Sequence, residues 1–334
     1  MSLNLSAKLE SKLFNGQLEQ KPTRDGYGDG LVIAGERDSN VVVLCADLSE
    51  STRSYKFQEK FPERFFEIGV AEQNMAAVAA GLGVNGKIPF ISSYATFSPG
   101  RNWEQIRTTI AYNDSNVKII GSHAGVSVGP DGATHQMTED IAIMRVMPNM
   151  KVFVPCDAIE AKKATVAAAK IWGPCYIRLA REKSPVFTTE ETPFIPGKAE
   201  ILWESDKPRV LIIGCGPLLH NCLIAALDLE KNKIGTIVLN CHTIKPLDEK
   251  LILNLSKKCG AVITVEEHQV VGGLGGAVAE FLTKHHPVPM EFVGMQDTFG
   301  ESGKPEELIE KYGMGKKSII DAVKKNISRV KIIA

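Results

Sequence analysis

Short runs of β-branched and apolar residues alternate along this chain with longer segments whose apolar positions recur at helical spacing. Val41–Leu44, Ile88–Ile91, Val117–Ile120, Lys151–Val154 and Tyr176–Leu179 read as strands. Positions 71–82, 103–112, 139–147 and 157–170 between them read as Ala-rich or amphipathic helices. Such repeated strand–helix units predict a mostly parallel sheet covered on both faces. From Ser184 to Gly197 the rhythm breaks, and prolines 185, 193 and 196 with polar neighbours mark a linker. It restarts with strands at Val210–Ile213, Thr236–Leu239 and Ala261–Val265 and helices near 218–230, 247–257 and 273–284. The pattern therefore predicts an α/β chain of two doubly wound, mostly parallel-sheet domains. An N-terminal extension covers 1–23, the first domain 24–187, a linker 188–200 and a smaller second domain 201–334. Ligands of open α/β sheets collect beyond the carboxyl ends of strands, so chemistry is expected after positions 44, 91, 120 and 179.

Composition narrows the class without naming a reaction. At 334 residues, 44% hydrophobic and 23% charged, the chain can bury two ordinary cores. Its 39 basic and 39 acidic residues cancel, and no basic stripe points to nucleic acid. No apolar run approaches the roughly 18 residues of a membrane span, and the start lacks the pattern of a signal peptide. None of the seven cysteines forms a C-x-x-C pair, so neither a disulfide framework nor a zinc site is expected, and a cytoplasmic location fits.

The most polar loop of the first domain follows its third strand. Across Gly121–Gln136, His123, Asp131 and His135 lie among glycines that let backbone approach a ligand closely. A ligand-binding loop and a surface loop with capping histidines are equally good readings on spacing alone. Glu72 opens an Ala-rich helix, where an acid is ordinarily a first-turn charge favoured by the helix dipole. Thr96-Phe97 follows a strand, and Phe97 is either a ring platform or a core residue. Arg181, past another strand, is either a bidentate anion clamp or solvated. Gly28-Asp29-Gly30 has the opening of a diphosphate–magnesium motif, but it precedes the first strand and no asparagine occurs within 50–62 to complete it. Gly272-Gly273-Leu274-Gly275-Gly276 opens a helix without the spacing of a dinucleotide fingerprint, which predicts close helix packing or a subunit contact.

In order over about residues 24–325, these segments resemble the C-terminal half of transketolase, its pyrimidine-binding domain followed by its C-terminal domain. The resemblance rests on Ala46-Asp47-Leu48, Phe66-Glu67-Ile68-Gly69-Val70-Ala71-Glu72-Gln73, Thr96-Phe97 and Gly129-Pro130-Asp131-Gly132-Ala133-Thr134-His135-Gln136. In the second domain it rests on Thr243-Ile244-Lys245-Pro246-Leu247-Asp248, Glu266-Glu267-His268 and Phe299-Gly300-Glu301-Ser302-Gly303. The family uses thiamine diphosphate, whose own amino group, in its imino form, takes the proton from the reacting carbon. A carboxyl hydrogen-bonded to the far ring nitrogen favours that tautomer, and an apolar pocket helps such a carboxyl hold a proton.

The resemblance makes Glu72 this activating carboxyl. Asp47 and Val70 become further cofactor contacts and Phe97 the face that stacks on the aminopyrimidine. Trp103 follows as a second aromatic contact, because Ser98–Asn102 lacks the further aromatics common after Thr-Phe. His123 and Arg181 are implied at the phosphate end of a sugar substrate and Asp131 at a hydroxyl. His135 lies where the family places a histidine beside the reacting carbonyl. The segment that binds the diphosphate and Mg²⁺ is not seen in this sequence. A separate N-terminal transketolase subunit is therefore expected to carry it, within an α₂β₂-type complex that transfers two-carbon units between sugar phosphates. Two relatives, 1-deoxyxylulose-5-phosphate synthase and the β-subunit of 2-oxo acid dehydrogenases, share the glutamate. The synthase usually has a second histidine where this chain has Gln136, and the dehydrogenase subunit matches the His135 loop less well. A non-catalytic protein on the same scaffold is disfavoured by the presence of Glu72, Asp131, His135 and Arg181.

Overall fold

A computed structural model describes residues 3–333. Its two main sheets contain β1 (Val41–Cys45), β2 (Phe65–Glu67), β3 (Ile88–Tyr94), β4 (Lys118–Ser122), β5 (Lys151–Phe153), β6 (Cys175–Arg178), β7 (Glu200–Glu204), β8 (Pro208–Gly214), β9 (Gly235–Asn240), β10 (Thr243–Lys245), β11 (Val262–Gln269) and β12 (Met290–Met295). The first sheet has the order β10-β5-β6-β4-β3-β1-β2, parallel except for β10 against β5. The second has the order β12-β11-β8-β9-β7, parallel except for β7 against β9. The two α/β sheets are thus as expected, with one crossing: β10 follows the second-sheet strand β9 in the chain but pairs with the first sheet.

Alternation explains how the layers pack. In β1, Val42 and Leu44 enter one core while Val41 and Val43 enter another, so both sheet faces are dry. In β8, Leu211 and Ile213 join the same core as Val42 and Leu44, whereas Val210 and Ile212 face a third. One continuous apolar layer therefore joins the sheets. After β1 the chain runs to the edge strand β2 and returns to β3 on the other side of β1. That reversal opens a crevice at the carboxyl ends of β1 and β3.

The strands β2, β7, β10 and β12 and the helices Pro305–Lys311 and Lys316–Ile333 lie outside the expected elements, and three further segments differ from the sequence pattern. The helix Thr23–Arg37 carries no readable period because glycines occupy its contact face. An added Cβ at Gly26 would lie 1.8 Å from the Ala158 carbonyl oxygen, and at Gly30 2.7 Å from Thr165. Gly28-Asp29-Gly30 is thus a helix-packing feature, with Gly28 against Arg53. The segment 103–112 is a short α-turn, Trp103–Gln105, running into a π-helix, Ile106–Ala111. The Pro-rich stretch is pinned to the first domain: Ser184–Pro185 pairs with Gln20–Lys21, and Phe187 and Thr188 donate backbone N–H groups to buried Asp157. The N-terminal segment also straps onto the second unit, through Leu3 beside Trp203 and buried Ala7 and Leu13.

The second glycine cluster packs as expected. A Cβ on Gly275 would meet Phe292 at 2.6 Å, and the buried Glu266 carboxylate accepts the N–H groups of Leu274 and Gly275 at the helix start. Among the described residues no helix is long and apolar enough to cross a membrane.

Gly26→Ala should lower unfolding stability by about 1–3 kcal/mol in a denaturant titration, because the backbone oxygen it meets cannot move aside. A neutral or stabilising effect, as expected for Gly→Ala in a free helix, would contradict this packing.

Candidate active site

Loops at the carboxyl ends of β1 to β4 and β6 bring most of the candidate residues to one crevice. Glu72 is the first residue of the helix Glu72–Val84 and is 1% exposed. Its position is fixed by its neighbours. The Asn102 amide donates to the Glu72 carbonyl oxygen at 3.0 Å, and the Arg101 guanidinium donates to its carboxylate at 2.6 Å. An apolar pocket was expected around this carboxyl; instead it is ion-paired. The physical reason is that a buried carboxylate without a counter-charge is costly, and Arg101 reaches in from a 46% exposed position.

Glu67 ties the same wall to the end of β1. One of its carboxylate oxygens accepts the N–H groups of both Asp47 (2.7 Å) and Gly69 (2.8 Å). Asp47 and Gly69 both have positive φ, 57° and 76°, a region an L-residue seldom adopts without support. The clamp thereby presents Asp47 and Val70, the latter 71% exposed, on adjacent loops.

A chain of rings leads away from this wall. The Arg101 guanidinium lies over Phe97, 4.6 Å from its centroid. Phe97 meets His135 edge-on at 5.5 Å and stacks at 5.8 Å with Tyr94, which in turn stacks on His123 at 3.7 Å. His123 is 1% exposed, with Nδ1 at 2.9 Å from the Ser122 hydroxyl and Nε2 at 3.3 Å from an Arg24 nitrogen. Arginine only donates, so Nε2 accepts and Nδ1 carries the proton toward Ser122. Burial, then the charges of Arg24, Arg181 and Arg53, push the His123 value down to about 2, so the ring is neutral.

Arg24, Arg53 and Arg181 gather at this end; Arg53 pairs with Asp25 at 2.6 Å and Arg181 with Glu182 at 3.3 Å, while the buried Arg24 Nε has no hydrogen-bond partner. Arg181 donates to the Val128 carbonyl at 2.7 Å and lies 3.9 Å from Asp131. A cleft of about 820 Å³ opens beside them, lined also by Lys183 and by the carboxylates of Asp25, Glu182, Glu267, Glu306 and Glu310.

The second unit braces the loop that carries these groups. Glu267 accepts the Ser127 N–H at 2.6 Å and packs where a side chain at Gly125 would be. The Gln136 amide donates to the carbonyls of Val126, Gly129 and Glu301, and Gln269 holds Thr138. The motifs Glu266-Glu267-His268 and Phe299–Gly303 thus act on the first domain's loop from outside it.

Glu72, Asp47, Val70, Phe97, His123, Asp131, His135 and Arg181 are all placed along this crevice. Trp103 is not part of the ring chain; its indole N–H donates to the Ile143 carbonyl at 2.9 Å, and it packs against the shared core. Sequence reasoning missed Arg24, Arg53, Glu67, Tyr94 and Arg101. Arg101 had a signal, since it lies in the loop just after Phe97; Arg24 and Arg53 are brought in by tertiary packing and had none. Among the described residues, no three His, Cys, Asp or Glu side chains are grouped to hold a metal ion.

Comparison with known proteins adds to this geometry. Residues 19–186 match the model of the transketolase pyrimidine-binding domain, and residues 197–319 that of the transketolase C-terminal domain. The chain is 43% identical to a transketolase C-terminal section inferred in Methanocaldococcus jannaschii, over 92% of this chain and 97% of that one. It is 40% identical to the 6-deoxy-6-sulfo-D-fructose transketolase subunit SqwH of a Clostridium species, over 92% and 95%. A solved structure described as a split-gene transketolase in an inactive β4 tetramer superposes with a TM-score of 0.86 at 45% identity, covering 92% and 98%. Against rat transketolase, 38% identical, the chain spans 48% of the length.

The buried rings give a pH signature. Burial lowers His242 to about 3, as burial and neighbouring arginines lower His123 to about 2, both from an ordinary value near 6.5. Their neutral forms therefore contribute stability that is complete above about pH 6.5 and declines as pH falls below it. NMR titration should find both imidazoles neutral at about pH 4.5; a midpoint near 6.5 for either would contradict the assigned environment.

Proposed function

The chain belongs to the transketolase family, as a counterpart of its C-terminal section, and on that premise we propose that it supplies the aminopyrimidine and sugar contacts of a two-carbon ketol transferase acting on sugar phosphates. A separate subunit holds the diphosphate and Mg²⁺ of thiamine diphosphate. The observation that carries this reading is the line from Glu72 and Arg101 to Phe97, with His135 edge-on to that ring, and on through Tyr94 and His123 to Arg24. It provides a carboxyl, an aromatic face, a polar donor and an arginine-bearing end in the order such a reaction needs.

The residues fit half of the cofactor. Glu72 and Phe97 already engage a planar, cationic N–H donor in Arg101, and the Thr96 hydroxyl beside Phe97 is buried without a partner. Among the described residues, the one glycine motif with the opening of a diphosphate site, Gly28-Asp29-Gly30, is packed inside a helix. Relatives of the same span carry "section" and "subunit" in their names. Around Glu72, Phe66, Val70 and Val78 expose apolar surface, as a wall covered by a partner would.

When bound, thiamine diphosphate supplies a nucleophilic carbon that breaks and remakes a carbon–carbon bond next to a carbonyl. Glu72 would hold the ring nitrogen by sharing a proton with it, and Phe97 would stack on the ring face. Asp47 and Val70, set by the Glu67 clamp, border the cofactor. His135 donates to substrate oxygens where negative charge develops. Asp131 binds a hydroxyl, while Arg24 and Arg181 hold the terminal anion, with neutral His123 orienting Arg24. A sulfonate, the group in the Clostridium relative's name, presents a similar anion to the same arginines.

Mixed with a subunit that binds the diphosphate, the chain should transfer two-carbon units between sugar phosphates. Turnover with pyruvate alone would instead favour the synthase-like or 2-oxo acid dehydrogenase reading. In the assembled enzyme Glu72→Gln should lower kcat by about 100-fold or more while leaving assembly intact on a sizing column. Near-normal turnover would remove the assigned role.

A further inference from the structure

We propose that Arg101 gates the aminopyrimidine pocket, filling both contacts intended for the cofactor ring until the ring displaces it. This rests on the reading of Glu72 and Phe97 given above, and the geometry takes it further. A guanidinium is planar, donates N–H groups from its edge and places positive charge over an aromatic face. Arg101 does both at once: it donates to the Glu72 carboxylate at 2.6 Å and lies over the Phe97 ring at 4.6 Å. An aminopyrimidine is also flat; it sets a ring nitrogen against the same carboxyl, which then shares a proton with it, and lays its face on the same ring. The two cannot occupy them together.

The loop is built so that the side chain moves while its backbone stays. Asn102 is buried and fixed by its amide to the Glu72 carbonyl and to the Ser98 hydroxyl at 3.2 Å. The Arg101 N–H is held by the Phe97 carbonyl at 3.0 Å. The Arg101 side chain itself is 46% exposed, so it can rotate outward without disturbing Asn102 or Phe97. The closed position also gives buried Glu72 a counter-charge, which a chain without a bound ring otherwise lacks. The ring must therefore compete with Arg101, and a diphosphate anchored elsewhere helps it to win.

The test is binding of the isolated ring fragment, 4-amino-5-hydroxymethyl-2-methylpyrimidine, to the purified chain, followed by saturation-transfer NMR. Arg101→Ala and Arg101→Gln should each bind it about three- to thirtyfold tighter than the parent, reflecting loss of one partly exposed ion pair and one cation–π contact. The same variants should melt at lower temperature, with the loss reduced when Glu72→Gln is combined with Arg101→Ala. A purely structural arginine would show the melting change without the gain in affinity. Unchanged or weaker binding in both Arg101 variants, or no saturable binding by any variant, overturns the gate. Glu72→Gln and Phe97→Ala separate the two levels of the proposal. If they weaken binding while the Arg101 variants gain nothing, only the gate fails; if they too leave binding unchanged, the pocket assignment fails with it.

Discussion

A carboxylate that is 1% exposed cannot remain charged in a protein wall without compensation, and Glu72 is such a group. Its surroundings can be understood as the answer to that constraint. The Glu72–Val84 helix begins at this residue, Asn102 fixes its backbone, and Arg101 supplies the charge. Glu67 then sets the loop just before it against the end of β1. A carboxyl held so firmly at the floor of a topological switch point is suited to engage one ring nitrogen of a flat ligand. The same firmness makes the identity of its counter-charge matter.

The second unit contributes to the site without entering the line of reactive groups. Glu267, Gln269 and the Glu301 carbonyl hold the loop that carries Asp131 and His135, and the β10 strand stitches the two sheets together. Gln136 is the meeting point. Its amide spans three carbonyls from both units, which gives it a structural task in this chain where the synthase relative usually has a histidine. The shared apolar layer between the sheets keeps these contacts in register.

Strong periodicity was legible in the sequence, and weak or tertiary-determined features were not. Fully apolar strands such as Val41–Cys45 announced themselves, as did the Ala-rich helix after Glu72. The helix Thr23–Arg37 did not, because glycines serve its close contacts and erase its pattern. The short edge strands β2 and β10 were also silent, having too few residues for a period to show. At the site, ordered motifs singled out Glu72, Phe97, Asp131, His135 and Arg181, which the fold gathers on loops at the carboxyl ends of the first sheet. What sequence could not show was pairing across distance. Arg24 reaches His123 from 99 positions away, Arg101 reaches Glu72 from 29, and Trp103 turns to the Ile143 carbonyl.

The central claim is that Glu72 meets the aminopyrimidine ring and Phe97 stacks on it. A crystal structure of the assembled enzyme with thiamine diphosphate tests it most directly. The account predicts a Glu72 oxygen within about 3.2 Å of the ring nitrogen, the ring over Phe97, and the Arg101 guanidinium displaced from both. A bound cofactor with Glu72 still paired to Arg101, or with its ring away from Phe97, would contradict it.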